Sequence, residues 1–276
     1  MLLHDDEIRY DFGGAQFDLQ RDAEQLRWVF SQFLYGEVTG IQVGHWIYHA
    51  PDLERAQFLV RQCAQELAHV RIMRTILERL GVEPRPAHPM VRFLATGLMG
   101  ASWDEHVCLE MALGEGHVLT VMLSLLPTLP DPEIQKLLEI AARQEATHVA
   151  FGEAQTAIAA RTPRQRAHLL GLSLLNLWGV RRLAAFLERR VPRQHPVWAQ
   201  VGPFTRHVVS VAELRLQRMG LADGPLAAIP RHRRAWLLAA GLGTRTVAPL
   251  QRRKLITSTY LRDPSIARPS PASPPS

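Results

Sequence analysis

The chain has 276 residues, 47% of them hydrophobic and 21% charged, which allows a sizeable folded core and excludes a disordered or collagen-like protein. Its two cysteines, Cys63 and Cys108, provide neither a disulfide framework nor the thiolate pairs of a zinc-finger type site. A net charge of +6 hides a split: residues 1–155 carry 12 Lys/Arg against 22 Asp/Glu, and residues 156–276 carry 20 against 4.

The chain opens Met-Leu-Leu-His-Asp-Asp-Glu, acidic where a secretory signal is basic. The spacing of Leu26, Phe30, Phe33, Leu34 and Ile41 predicts a first helix over 22–49. Ala50-Pro51-Asp52 breaks it, and Asp52 is placed to cap a second helix over 53–80, which Gly81 ends. A proline-rich link over 82–102 precedes a third helix, 103–126. Asp131-Pro132-Glu133 combines a cap, a first-turn proline and a first-turn acid, and opens a fourth, 132–161. The loops are therefore short, long and short. Fully extended, the 21-residue link reaches roughly 70 Å, enough to return along helices about 40 Å long. The expected fold is all-α, a four-helix bundle with one long crossover. Further helices over 163–190, 195–220 and 231–250, with another turn towards 261, form a basic C-terminal extension. A Pro- and Ser-rich tail, 262–276, is expected to be disordered. The longest apolar run, around 169–180, is too short to span a bilayer. The expected location is the cytoplasm, with no transmembrane segment.

Glu-x-x-His occurs twice, at Glu66–His69 and Glu145–His148, where composition alone gives about 0.7 matches. Each motif follows a solitary glutamate at nearly the same distance, Glu37 by 29 residues and Glu115 by 30. In an antiparallel hairpin, residues equidistant from the turn lie level. The midpoint of Glu37 and Glu66 is 51.5, in the first turn, and that of Glu115 and Glu145 is 130, in the second. Within each motif, positions three apart share a helix face. Four carboxylates and two imidazoles thus converge, a donor set that suits iron or manganese. Glu110 is the rival to Glu115, but its midpoint falls at the edge of the turn. A five-residue step in an α-helix displaces it by roughly 7.5 Å and about 140°. It stands as an exposed glutamate or as a support for a ligand histidine.

Gly36 and Gly40 flank Glu37, and Gly114 and Gly116 flank Glu115. They indicate ligand movement, a π-bulge, a channel or close helix packing. Cys63, one turn before Glu66, and Tyr35 are further candidates near the metals, as are His45, His49 and His117. Trp46, Trp103 and Met122 read as core, and Glu153 as surface. Phe33, Ile41, Met111 and Met122 are candidates for lining an opening.

With these residues the chain resembles the ferritin-like superfamily, specifically its di-iron carboxylate oxidases and oxygenases, over about residues 25–160. The stretch from Gly44-His-Trp46 through Ala50-Pro51-Asp-Leu53 to Glu66-Leu-Ala-His69 is loosely similar to the catalytic subunit of phenylacetyl-CoA monooxygenases. The resemblance implies Glu37, Glu66, His69, Glu115, Glu145 and His148 as ligands of two iron ions, Fe–Fe or Mn–Fe. It implies a monooxygenase or oxidase that uses dioxygen to hydroxylate, epoxidise or desaturate a small or carrier-bound substrate. Electrons would come from an external donor protein, since no ferredoxin-like cysteine set is present. A homodimer is compatible with this family. The alternatives are a tRNA-modifying di-iron hydroxylase, with nucleic acid bound by the basic half, and a ferritin-like ferroxidase. The basic half can also dock on the acidic half of its own chain.

Overall fold

Proline and aspartate stop and start the helices where the sequence places the turns. The computed structural model describes residues 3–190 and 194–247. Helix α1 spans Ala23–Gly40 and tightens into a 3₁₀ stretch over Ile41–His49. The Asp52 side chain accepts a hydrogen bond from the Arg55 N–H (2.9 Å) and starts α2, Leu53–Arg79. Gly81, at φ 67°, ends it. Its N–H donates to the Glu78 carbonyl (2.9 Å) and that of Val82 to Leu77 (3.1 Å), which satisfies two of the last free carbonyls. The link holds two short helical pieces, Pro89–Arg92 and Phe93–Gly97.

The third stretch, α3, covers 103–125. It is α-helical over Trp103–His106 and Gly116–Leu125 and π-helical over Val107–Glu115. Asp131 accepts from the N–H groups of Glu133 and Ile134 and opens α4, Pro132–Ala159. A reciprocal pair, Thr162 and Gln165, opens α5, Pro163–Glu188. Helices α6, Val201–Arg218, and α7, Arg231–Val247, follow. The expected turn towards 261 and the tail from 262 lie outside the described residues. Helix makes up 77% of the structure with no strand among the described residues, so the chain is all-α.

Core membership fixes the helix directions. Leu26 and Phe30 of early α1 share one core with Met73 and Ile76 of late α2, Met122 of late α3 and Leu138 of early α4. Val43, Leu59 and Met111 build a smaller core towards the other end. Thus α1 and α2 are antiparallel, α3 and α4 are antiparallel, and the link carries the chain back between them. The C-terminal helices share this interior. Leu109 and Leu113 of α3 pack with Leu172 of α5, Leu216 of α6 and Leu237 of α7.

Opposite charges join the two halves. Arg215 Nη1 donates to Glu153 Oε1 (2.9 Å) and Arg218 Nε to Glu153 Oε2 (3.1 Å). Glu153, expected at the surface, is 7% exposed because these two arginines cover it. A further link is a hydrogen bond rather than a charge pair: His195 Nε2 donates to Asp22 Oδ2 (2.8 Å), while its Nδ1 accepts from the Val197 and Trp198 N–H groups. Some of the basic half's charge is therefore spent docking on the acidic half.

Two helical stretches, Trp103–Thr128 and Pro163–Glu188, are long and apolar enough to cross a membrane by length and composition, which the apolar run alone did not suggest. The buried share of their apolar windows, 61% and 67%, is what helices packed on several sides require.

Candidate metal centre

Four carboxylates and two imidazoles meet between α1, α2, α3 and α4. They form two overlapping groups, Glu37–Glu66–His69–Glu145 and Glu66–Glu115–Glu145–His148, with ligand atoms in each within 4.8 Å of one another. The two motif glutamates, Glu66 and Glu145, belong to both groups; the solitary glutamates belong to one each. His69 Nδ1 lies 3.1 Å from Glu37 Oε2 and 3.2 Å from Glu145 Oε1. His148 Nδ1 lies 3.4 Å from Glu66 Oε1, 3.6 Å from Glu115 Oε2 and 3.5 Å from Glu145 Oε2. All six are buried except Glu115, which is half-buried. The structure brings together the four glutamates that the turn midpoints pair and the two histidines of the Glu-x-x-His motifs.

The donor set fits a metal. Glu66 Oε1, Glu115 Oε2, Glu145 Oε2 and His148 Nδ1 are buried without a hydrogen-bond partner. Orphaned polar atoms are costly in a protein interior, and a cation at their common centre would satisfy all four. Burial and repulsion from Glu145 push the Glu66 and Glu115 carboxyls well above the usual carboxylate range. Burial also raises Glu37, against an opposing hydrogen bond with His69. Burial alone would raise Glu145 too, but hydrogen bonds with His148 and His69 hold it down at about 2. Burial would lower His69, yet Glu145 and Glu37 outweigh it and lift the imidazole to about 11. Without metal, protons therefore do part of the work of a cation.

The sign of the pH dependence follows. His69, raised from 6.5, contributes stability that is complete below pH 6.5 and is lost as pH rises towards 11. Raised Glu66 and Glu115 also bind more protons folded than unfolded above pH 4.5. Metal-free protein should therefore lose stability from pH 6.5 to 9, by roughly 1.4 kcal/mol per pH unit for each extra proton held. Metal affinity should move the other way, since these protons must leave. Thermal unfolding at several pH values, with chelator or metal, measures both slopes. A metal-free melting temperature that rose over this range would contradict the assignment.

Sequence reasoning missed three glutamines: Gln62, whose Nε2 donates to Glu115 Oε1 (2.7 Å), and the two that meet the histidines. The Gln144 Oε1 atom lies 2.8 Å from His69 Nε2, and Gln65 Oε1 lies 2.7 Å from His148 Nε2. An amide oxygen only accepts, so each Nε2 carries a proton and each Nδ1 faces the centre; at His69 a metal would take the place of the Nδ1 proton shared with Glu37 and Glu145. The pairing is crossed, with each motif's glutamine orienting the other motif's histidine. The available signal was that both motifs read Gln-Glu-x-x-His. Gln65→Ala or Gln144→Ala should weaken metal binding by about 10–100-fold, measured by competition with a chelator. Unchanged affinity in both variants would remove this role.

Local backbone choices make room for the cluster. A Cβ on Gly40 would come within 2.5 Å of Glu66 Oε2, so glycine there permits the carboxylate's approach. Gly152 lets α4 close on the π-helical stretch, where a Cβ would meet the Ala112 N atom at 2.6 Å. That π-helix also corrects the expectation for Glu110. Its i→i+5 bonding widens the turn, bringing residues five apart nearer one face than an α-helix does. Glu110 and Glu115 line the same cavity, and the Glu110 charge contributes to raising Glu115. Glu110 is not an exposed helix glutamate. It accepts from the Gly100 N–H and lies 3.0 Å from His106 Nδ1, outside both ligand groups.

The other candidates fall outside the two groups. Cys63 Sγ points to the Ile41 carbonyl (3.7 Å), and burial raises its thiol pKa. Tyr35 is half-buried, two residues or about 200° around α1 from Glu37. His45 and His49 pack on Trp46, which is core as expected. His117 Nε2 is 2.7 Å from Asn176 Oδ1, and burial depresses its pKa to about 4, so the ring is neutral.

A cavity of about 330 Å³ opens beside the carboxylates. Phe33 lines it as expected; Ile41, Met111 and Met122 do not. Met111 and Met122 are consumed by the helix cores instead. Comparisons with protein-family models, curated proteins and solved structures returned no match, so the site's chemistry rests on its own geometry.

Proposed function

We propose that this chain is a ferritin-like, non-haem di-iron oxygenase or oxidase that uses dioxygen to oxidise an organic substrate in the adjoining cavity. The observation that carries this reading is the pair of overlapping ligand groups sharing Glu66 and Glu145. Glu37 and His69 would complete one iron site, and Glu115 and His148 the other. Two ferrous ions bound there would supply the electrons for dioxygen reduction, while the protein sets spacing, polarity and access. Four carboxylates balance two divalent ions, so the loaded centre carries no uncompensated formal charge into the interior. The helix directions, two antiparallel hairpins joined by a long crossover, support the ferritin-like assignment.

Within this reading, Gln65 and Gln144 hold the imidazoles in the ligating tautomer, and Gln62 Nε2 steadies Glu115 Oε1 at 2.7 Å. The apolar cavity favours an organic substrate over iron storage, because hydrated iron in transit needs polar walls. Renewed turnover needs electrons from an external donor protein, since neither cysteine, Cys63 nor Cys108, belongs to a metal-binding group among the described residues. The test is anaerobic loading with ferrous iron followed by oxygen. Oxygen uptake with a change in the visible spectrum is expected, and iron-loaded protein inert to oxygen would remove the proposal.

A further inference from the structure

We propose that the cavity beside the cluster holds an extended aliphatic chain, its far end bounded by the C-terminal helices; this rests on the di-iron reading above. The cavity is long. On α3 it is lined in succession by Glu115, Val118, Val121 and Leu125, ten residues or roughly 15 Å of helix. On α5 it runs from Asn176 to Leu187, roughly 16 Å. Trp198 and Phe204 contribute further apolar walls.

Its chemistry is one-sided. The charged groups lining it are Glu37, Glu66, Glu110, Glu115 and Glu145, with no lysine or arginine among the described residues. An anionic group along its length would have no counter-charge. Most of the neutral polar groups are already engaged; the exceptions are ring nitrogens of His106, whose Nδ1 lies 3.0 Å from Glu110 Oε2, and Trp198 Nε1, which are buried without a hydrogen-bond partner. His117 pairs with Asn176, and Thr205 Oγ1 donates to the Val201 carbonyl (2.8 Å). Gln32 donates to the Trp28 carbonyl (2.9 Å) and accepts from the His88 N–H (2.8 Å). A polar ligand would lose its water and find few partners, whereas an alkyl chain loses nothing. A staggered chain of ~1.5 Å carbon–carbon bonds advances roughly 1.3 Å per bond, so 15 Å takes about 12 carbons.

The test uses the full-length, metal-free protein and linear primary alcohols from butan-1-ol to tetradecan-1-ol. Binding is followed by calorimetry and by tryptophan fluorescence, since Trp28 and Trp198 line the cavity. Affinity should rise about fourfold per methylene and level off near 12 carbons. Val121→Trp, roughly 9 Å along α3 from Glu115, should move the plateau to about seven carbons with the number of bound metal ions unchanged. Affinity independent of length, or a wild-type plateau at six carbons or fewer, would overturn the proposal. Should the variant not fold, the wild-type series decides alone. Two bound ions without length dependence would reject the chain and leave the di-iron reading intact. A length plateau without metal binding would reject that reading while supporting the chain-shaped site.

Discussion

Anaerobic titration with ferrous iron should bring two ions per chain and raise the melting temperature by roughly 10–20 °C. Saturation a hundredfold above Kd is worth about 2.7 kcal/mol per site, and a chain of this size shifts by about 2–4 °C per kcal/mol. The shared and unshared ligands make the stoichiometry diagnostic. Glu66 and Glu145 belong to both groups, so Glu66→Ala or Glu145→Ala should lose both ions. Glu37 and Glu115 belong to one each, so Glu37→Ala or Glu115→Ala should retain one. Metal-free Glu66→Ala should also melt above metal-free wild type, because burial and repulsion from Glu145 and Glu37 disfavour that carboxylate. Two ions retained by Glu66→Ala, or a melting temperature indifferent to chelation, would refute the shared-ligand centre.

Arg215→Ala should destabilise the protein by about 3–5 kcal/mol, the usual consequence of breaking a buried ion pair and leaving its partner behind. Arg215 is 2% exposed, and Glu153 is held from its two sides by Arg215 and Arg218. The remaining Arg218 places the expected cost near the lower end. Replacing both partners by apolar residues, Arg215→Met with Glu153→Leu, should recover much of the loss, since no orphaned charge remains. Denaturant unfolding of both variants measures this. A single variant within about 0.5 kcal/mol of wild type would show that the pair does not anchor α6 to α4.

Much of this fold was legible because its punctuation is local. Asp52, Gly81, Asp131 and Pro132 act through their own backbone neighbours, and each does in the structure what its residue type dictates. The π-helical Val107–Glu115 was not legible as an assigned segment, although Gly114 raised it as an option. Close packing of α4 at Gly152 and the demands of Glu115 involve residues far apart in sequence. The same distance hid Glu153, whose burial depends on Arg215 and Arg218, more than sixty residues away.

The sequence by itself determined the helical class, the turns and the six converging carboxylate and imidazole side chains. Those depend on helical periodicity and on symmetry about two short turns, both countable along the chain. Only the tertiary structure decided which glutamates are shared, how Gln65 and Gln144 cross between motifs, and that α5 and α6 wall a cavity beside the carboxylates. The physical reason is that sharing, crossing and enclosure are relations between helices. Their relative rotation is set by packing, such as the widened turn before Glu115 and the bare backbone at Gly40, and helical spacing alone does not encode it.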